Sequence, residues 1–258
     1  MNFIIATQTE IIKTKRTAAF WLSLCGAAFI PAIFFIMCSF VEEKPVKDFL
    51  ATPWKTFFTA GWQILSAFLL PMYIILICAL IPQIEYKNNA WKQVFASPQS
   101  TGQIFFSKFL TVHLMILLCY ILFNSLMILS GISINLIKPG YTFLQHELDW
   151  SLIMQLNART YISLLGISAI QFWLSLRFKN FIAPMGIGLA LLVCAIVALG
   201  FHWKHVYKLP HAFPALTFMS IEKKGSMSLE NHELNSIGYF IVFTLIGYFD
   251  LLLRKEKG

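Results

Sequence analysis

The chain has 258 residues, of which 58% are hydrophobic and 12% charged, with a formal net charge of +8. A soluble domain carries about 25% charged residues. This chain has too little polar surface to cover itself in water, so it reads as a polytopic membrane protein. Its basic residues lie between apolar runs and form no block or stripe, so nucleic acid is not an expected partner.

Taken in chain order, the first sixteen residues place Phe3, Ile4, Ile5, Ile11 and Ile12 near one helical face, with Glu10, Lys13 and Arg16 elsewhere. This pattern fits an N-terminal helix lying in the headgroup plane, or an ordinary flanking tail. The apolar run that follows is too long for a signal-peptide core and lacks a small-x-small cleavage site, so it is expected to remain as a first span. Six segments are long enough to cross about 30 Å of hydrocarbon, which takes about 20 helical residues. They cover about 17–40, 57–81, 108–131, 159–176, 181–201 and 237–253. The runs are continuous and do not alternate, so the fold is all-α and not a barrel.

Six spans put both termini on one side. With the termini inside, the inner segments hold eleven of the 20 basic residues, among them Lys13, Lys87, Lys92, Lys108, Arg177 and Lys257. The positive-inside rule therefore favours cytoplasmic termini. On the outer side, 202–236 contains WKHVYKLPHAFPALTFMS, an aromatic, proline-broken stretch. It suits either a re-entrant helix buried by protein or a surface loop with an interfacial aromatic belt.

Recognisable chemistry is sparse. Cys25, Cys38, Cys78, Cys119 and Cys194 all sit in apolar runs without a Cys-x-x-Cys pair and behave as small hydrophobic residues. His113, His146, His202, His205, His211 and His232 lack a carboxylate placed as the next ligand, so no metal site is expected. No Gly-x-Ser-x-Gly or His-Glu-x-x-His motif is present, and no glycine precedes a lysine, which excludes a Walker-type phosphate loop. Inside the spans, Asn124 and Gln171 read as interhelical hydrogen-bond residues. Asp250 is the one span acid, at helical spacing from Arg254. That scarcity argues against an ion-driven pathway. The short Gly186-x-Gly188 pair would let helices approach closely.

The informative stretch is EYKNNAWKQVFASPQS, Glu85 to Ser100, between spans two and three. Tyr86, Ala90, Trp91, Val94 and Phe95 recur at i, i+4, i+5, i+8 and i+9, which predicts one amphipathic helix over 85–95. Pro98 stops it, and Ser100 with Gln103 forms a capping box for the third span. The aromatic face fits either lipid headgroups or a groove on another protein.

The run Glu85-Tyr-Lys-Asn-Asn-Ala-Trp91-Lys, then Ser97-Pro98 and Ser107-Lys108, resembles the segment after the second span of ABC-2 type permeases. Within them it is most similar to permeases of lantibiotic-immunity and bacitracin-resistance exporters. Pro98-Gln99-Ser100 replaces a more usual Pro-Val-Ser, and Glu10-Ile-Ile-Lys13 resembles the family's interfacial elbow.

The resemblance implies that 1–258 is a single transmembrane domain of a bacterial cytoplasmic-membrane exporter, pairing with a second copy or a related permease. It also implies a cytoplasmic ABC ATPase, itself dimeric, that docks on the coupling segment 82–100 and holds Mg-ATP, with no cofactor in this chain. The coupling contacts would be Glu85, Tyr86, Lys87, Asn88, Trp91, Val94, Phe95 and Pro98, and the elbow would use Glu10, Lys13 and Arg16. The substrate would be a hydrophobic or amphipathic molecule such as an antimicrobial peptide. An ion-coupled transporter and a non-transporting membrane anchor are the alternatives.

Overall fold

The computed structural model describes residues 3–15, 17–40, 47–224 and 228–253, and the described residues form helices and short turns without a strand. In order they are α1 (Phe3–Thr14), α2 (Ala18–Phe40), a short α3 (Lys47–Ala51) and α4 (Pro53–Ile64). A π turn at Leu65–Leu69 leads into α5 (Leu70–Lys87), followed by α6 (Trp91–Ala96) and α7 (Thr101–Ile137). The chain closes with α8 (Trp150–Arg177), α9 (Ile182–Gly200), α10 (Phe213–Lys224) and α11 (Asn231–Leu253).

Among the described residues, five helices are long and apolar enough to cross a bilayer: α2, the continuous Pro53–Lys87 rod, α7, α9 and α11. The sixth expected span, 159–176, lies within α8, which is long enough at 28 residues but less apolar. Its polar side chains Arg159, Thr160, Ser163, Ser168, Gln171 and Ser175 are buried. Ser163, Ser168 and Ser175 donate back to carbonyls of α8 itself, whereas Arg159 and Gln171 find partners on other elements, as polar groups inside a helical bundle can.

The π turn falls just before Pro71, whose missing N–H and ring disrupt the ordinary i→i−4 ladder.

Buried hydrogen bonds tie the bundle together. Ser23 and Tyr73 share a 2.7 Å bond, and Tyr73 donates to the Met115 carbonyl at 2.9 Å, linking α2, α5 and α7. Asn124 donates to Asn157 at 2.9 Å, joining α7 to α8 as an interhelical residue. On α8, the Gly166 N–H donates to Ser236 Oγ of α11 at 2.9 Å, and small residues there let the two helices touch. Of the Gly186-x-Gly188 pair, only Gly188 marks a close approach: a Cβ there would strike Gln171 and Ile75, whereas Gly186 faces open space. Asp250 pairs at 2.7 Å with Arg177 of α8; Arg254, at helical spacing from it, lies outside the described residues.

Segment 202–236 is more than a surface loop. Two short 3₁₀ turns lead into α10, whose Phe213, Ala215, Thr217, Phe218 and Ile221 are buried. Before it, His211 reaches Gln171 in the middle of the bundle. Arg159 of α8 bonds Glu233 of α11 through Nε at 2.9 Å and Nη2 at 3.1 Å, and it also reaches Ser220 of α10 at 3.3 Å. This fork fastens α8, α10 and α11 at one end of the bundle.

At the same end, Trp54 lies against α7 and donates Nε1–H to the carbonyls of Phe143 and His146, at 2.9 and 3.1 Å. A Cβ on Gly131 would sit 2.6 Å from the Trp54 ring. Gly131→Ala is expected to cost about 1–3 kcal/mol by overpacking, read as a lower thermal midpoint in detergent. Gly26→Ala, which meets open space, should leave the midpoint unchanged or raise it.

Candidate functional site

The end of the bundle opposite Arg159 is built around α1, the end of α5, α6 and the start of α7. Here the predicted single helix over 85–95 divides in two. The helix α5 stops at Lys87, with Asn89 in the left-handed region at φ 50. The Ala90 N–H donates to the Glu85 carbonyl at 2.9 Å and the Asn89 N–H to the Tyr86 carbonyl at 3.3 Å. These two bonds form a Schellman termination, and asparagine is a side chain that tolerates the left-handed position. The Asn88 side chain satisfies a further carbonyl, that of Ile84, at 2.9 Å. Downstream, Ser97 is extended before Pro98, and the Ser100–Gln103 capping box starts α7 in both of its reciprocal bonds, as its sequence predicts.

Four charges meet under this connector. Lys108, 1% exposed, donates to Glu10 Oε2 and to Glu85 Oε1, each at 2.6 Å. Lys13 donates to Glu10 Oε1 at 2.7 Å and to Glu85 Oε1 at 3.1 Å. Two carboxylates and two ammonium groups therefore neutralise one another across α1, α5 and α7. Burial alone would lift Glu10, yet Lys108 and Lys13 hold it below its usual carboxylate range. Burial would likewise depress Lys13, but Glu10 and Glu85 keep its ammonium above the ordinary lysine value. Buried charges of this kind tolerate their desolvation only when paired, and of the four carboxylate oxygens here only Glu85 Oε2 is buried without a hydrogen-bond partner among the described residues.

Aromatic groups complete the junction. Tyr86 and Trp91 rings lie 5.1 Å apart, the Lys108 ammonium stands 5.7 Å from the Trp91 ring centre, and Tyr86 donates to the Leu176 carbonyl of α8 at 2.9 Å. Glu85 and Trp91 thus face the protein interior. Lys87, Asn88, Asn89, Lys92, Gln93, Ala96 and Pro98 are exposed, and Val94 is half-buried. The side chain of Phe95 and all of Arg16 lie outside the described residues. Between α1 and the connector is a recess of about 370 Å³, lined in part by Glu10, Lys13, Glu85, Asn88 and Gln93.

The helix α1 is turned with Ala6, Thr7, Glu10 and Thr14 against the protein, while Ile4, Ile5 and Ile12 are 68%, 48% and 66% exposed. Its polar edge binds the bundle, and its apolar edge faces away.

A family model described as ABC-2 family transporter protein matches residues 6–197, from α1 into α9. The chain belongs to this ABC-2 family. It is accordingly the membrane permease component of an ABC transporter, and it lacks a nucleotide-binding motif of its own. No curated protein matches it at a significant level. Among the described residues, no three His, Cys, Asp or Glu side chains cluster to hold a metal ion.

The sequence singled out Glu10, Lys13 and Glu85 as members of two separate segments, and the structure brings them to one point. Lys108 was visible only as a lysine entering the third span. Glu233 escaped sequence reading altogether, though the nearby Arg159 at a span edge was a signal that an acid must stand close.

Lys108→Met removes the shared donor from two buried carboxylates and is expected to cost about 3–5 kcal/mol, measured by thermal unfolding in detergent. Against pH the cluster has a plateau. Glu10, lowered when folded, contributes above its ordinary value of 4.5 and loses that contribution as pH falls through the folded value. Lys13, raised when folded, contributes below 10.5 and loses that contribution as pH rises through the folded value. A spin label on exposed Ile12 should report an unchanged α1 across the intervening range and a looser helix beyond either limit.

Proposed function

We propose that the chain is the permease subunit of an ABC exporter, with residues 85–100 as the coupling segment for a separate cytoplasmic ATPase and α1 as an interfacial elbow. The observation that carries this reading is the buried Glu10–Lys13–Glu85–Lys108 cluster beneath an exposed connector. It makes the elbow, the connector and the start of α7 one mechanical unit. A partner gripping the connector would thereby move two helices of the bundle together with the elbow. Nucleotide can drive such motion only if the ATPase holds the connector differently in its two states.

In this reading Glu85, Tyr86 and Trp91 set the angle of the segment from within. The partner meets Lys87, Asn88, Asn89, Lys92, Gln93 and Pro98. The apolar outward edge of α1 supports its lying in the headgroup plane. The helix α8 supplies the sixth span, since it packs between two apolar crossing helices, α5 and α11. Six spans with basic inner segments support cytoplasmic termini, and the resemblance to bacterial exporters supports a bacterial cytoplasmic membrane.

Active transport would use a dimer of this chain or a pairing with a related permease. The likeness to lantibiotic-immunity and bacitracin-resistance permeases extends the reading to a hydrophobic or amphipathic cargo, including antimicrobial peptides. Mg-ATP would be held by the ATPase alone.

Lys87→Glu combined with Lys92→Glu should lower co-purification of the ATPase at least about tenfold, as expected when charges at a docking surface are reversed. The thermal midpoint should hold, because both side chains are exposed. Wild-type association of the double variant would sink the coupling assignment. Gradient-driven flux in proteoliposomes lacking any ATPase would favour an ion-coupled transporter instead, and a stable partner without flux would favour an anchor.

A further inference from the structure

At the end of the bundle away from the connector, the turn at Val206–Lys208 lies along α11 and leaves an open groove of about 500 Å³. Its walls are Tyr207 and Lys208 on one side and, on the other, two rows of α11: Leu234, Gly238 and Val242, and Asn235, Tyr239 and Phe243. Residues four apart share a helical face, so the rows run lengthwise for about 12 Å at 1.5 Å per residue.

Gly238 is the notch in the first row. Nothing lies within 4 Å of where its Cβ would stand, so the missing side chain opens space instead of admitting a neighbouring helix.

The two ends of the groove differ in chemistry. One end carries Lys208, the single charged residue among its lining, beside Tyr207, Asn235 and Tyr239. Asn235 donates to the Tyr207 carbonyl at 3.1 Å and Tyr239 to the Lys208 carbonyl at 3.1 Å, so the turn is pinned to α11 through its backbone. The Lys208 side chain stays exposed, above the Tyr207 ring at 5.9 Å. Among the described residues no carboxylate pairs with it. The other end continues over Val242 and Phe243 and is apolar.

We propose that this groove is a binding site for one anionic phospholipid, with its phosphate on Lys208 and an acyl chain laid along α11 through the Gly238 notch. Charge complementarity selects the headgroup: an unpaired cation in a wall without acids favours net negative charge. It disfavours a headgroup that brings its own ammonium group. Burying a chain in the notch also removes the void that a helix surface would otherwise present to disordered lipid. The inference rests on membrane embedding and is independent of the ATPase assignment.

The test reconstitutes the protein in bilayers of equal phosphatidylglycerol and phosphatidylcholine, returns it to mild detergent, and counts retained lipid by native mass spectrometry. The wild type should retain phosphatidylglycerol about fivefold over phosphatidylcholine, the preference one lysine near a headgroup supplies. Lys208→Glu should bring that ratio to parity, and Gly238→Leu should reduce retention of both lipids. Lys55→Glu, which changes net charge equally at an exposed site outside the groove, should leave the preference intact. Parity in the wild type, preference surviving Lys208→Glu, or an equal loss in Lys55→Glu would each overturn the proposal. Lys208 is a surface residue, so that arm reads out even if Gly238→Leu does not fold.

Discussion

A lysine ammonium with 1% of its surface exposed cannot look to water, and Lys108 answers with two carboxylates at 2.6 Å. Much of the architecture at that end follows from this demand. Glu10 must come from α1, so the N-terminal helix is held to the bundle. Glu85 must come from the last turn of α5, so that helix must end where it does. The chain then turns at 88–90 into the short α6 and, after 97–100, re-enters the bundle as α7. Replacing the four charges with well-packed apolar residues could yield comparable stability, but it would not fix the register among three helices in the same way. Ion pairs reject alternative alignments more sharply than methyl groups do.

The opposite end solves the same problem with different parts. Arg159 is shared between Glu233 and Ser220, which holds α10 against α8 and α11. The helix α10 is too short to span, and its buried face is covered by protein, the condition under which irregular backbone can sit at membrane depth. Between the two charged junctions the helices meet through apolar and small residues, with Gly166 and Gly188 as points of close approach, and through neutral hydrogen bonds such as Ser23–Tyr73 and Asn124–Asn157. The bundle is thus fastened by charge at both ends and by neutral contacts between them.

Much of this was readable in the sequence because apolar run length is a strong, local signal. Five expected spans correspond to helices long and apolar enough to cross, and the Ser100–Gln103 capping box appears where its spacing places it. Length and periodicity failed where the decisive contact is remote. The helix expected over 85–95 breaks because Asn89 takes a left-handed conformation, a local choice that hydrophobic periodicity does not record. The α8 segment, expected as the span 159–176, is less apolar than the others, and the partners of its Arg159 and Gln171 lie tens of residues away. The charge cluster joins residues separated by 23, 72 and 98 positions. Its members could be noticed one at a time, but a one-dimensional pattern could not assemble them.

The helix α7 is a solid rod. It runs 37 residues without proline, sealed at its start by the capping box and gripped there by Lys108. At 1.5 Å per residue it is about 55 Å long, well beyond the hydrocarbon thickness. Near its far end it bears on the Trp54 ring at Gly131. A tilt of about 10° about its midpoint would swing each end about 5 Å in opposite directions. A push on one side of the membrane would then arrive on the other as an inverted displacement, delivered by a seesaw with no hinge along its length.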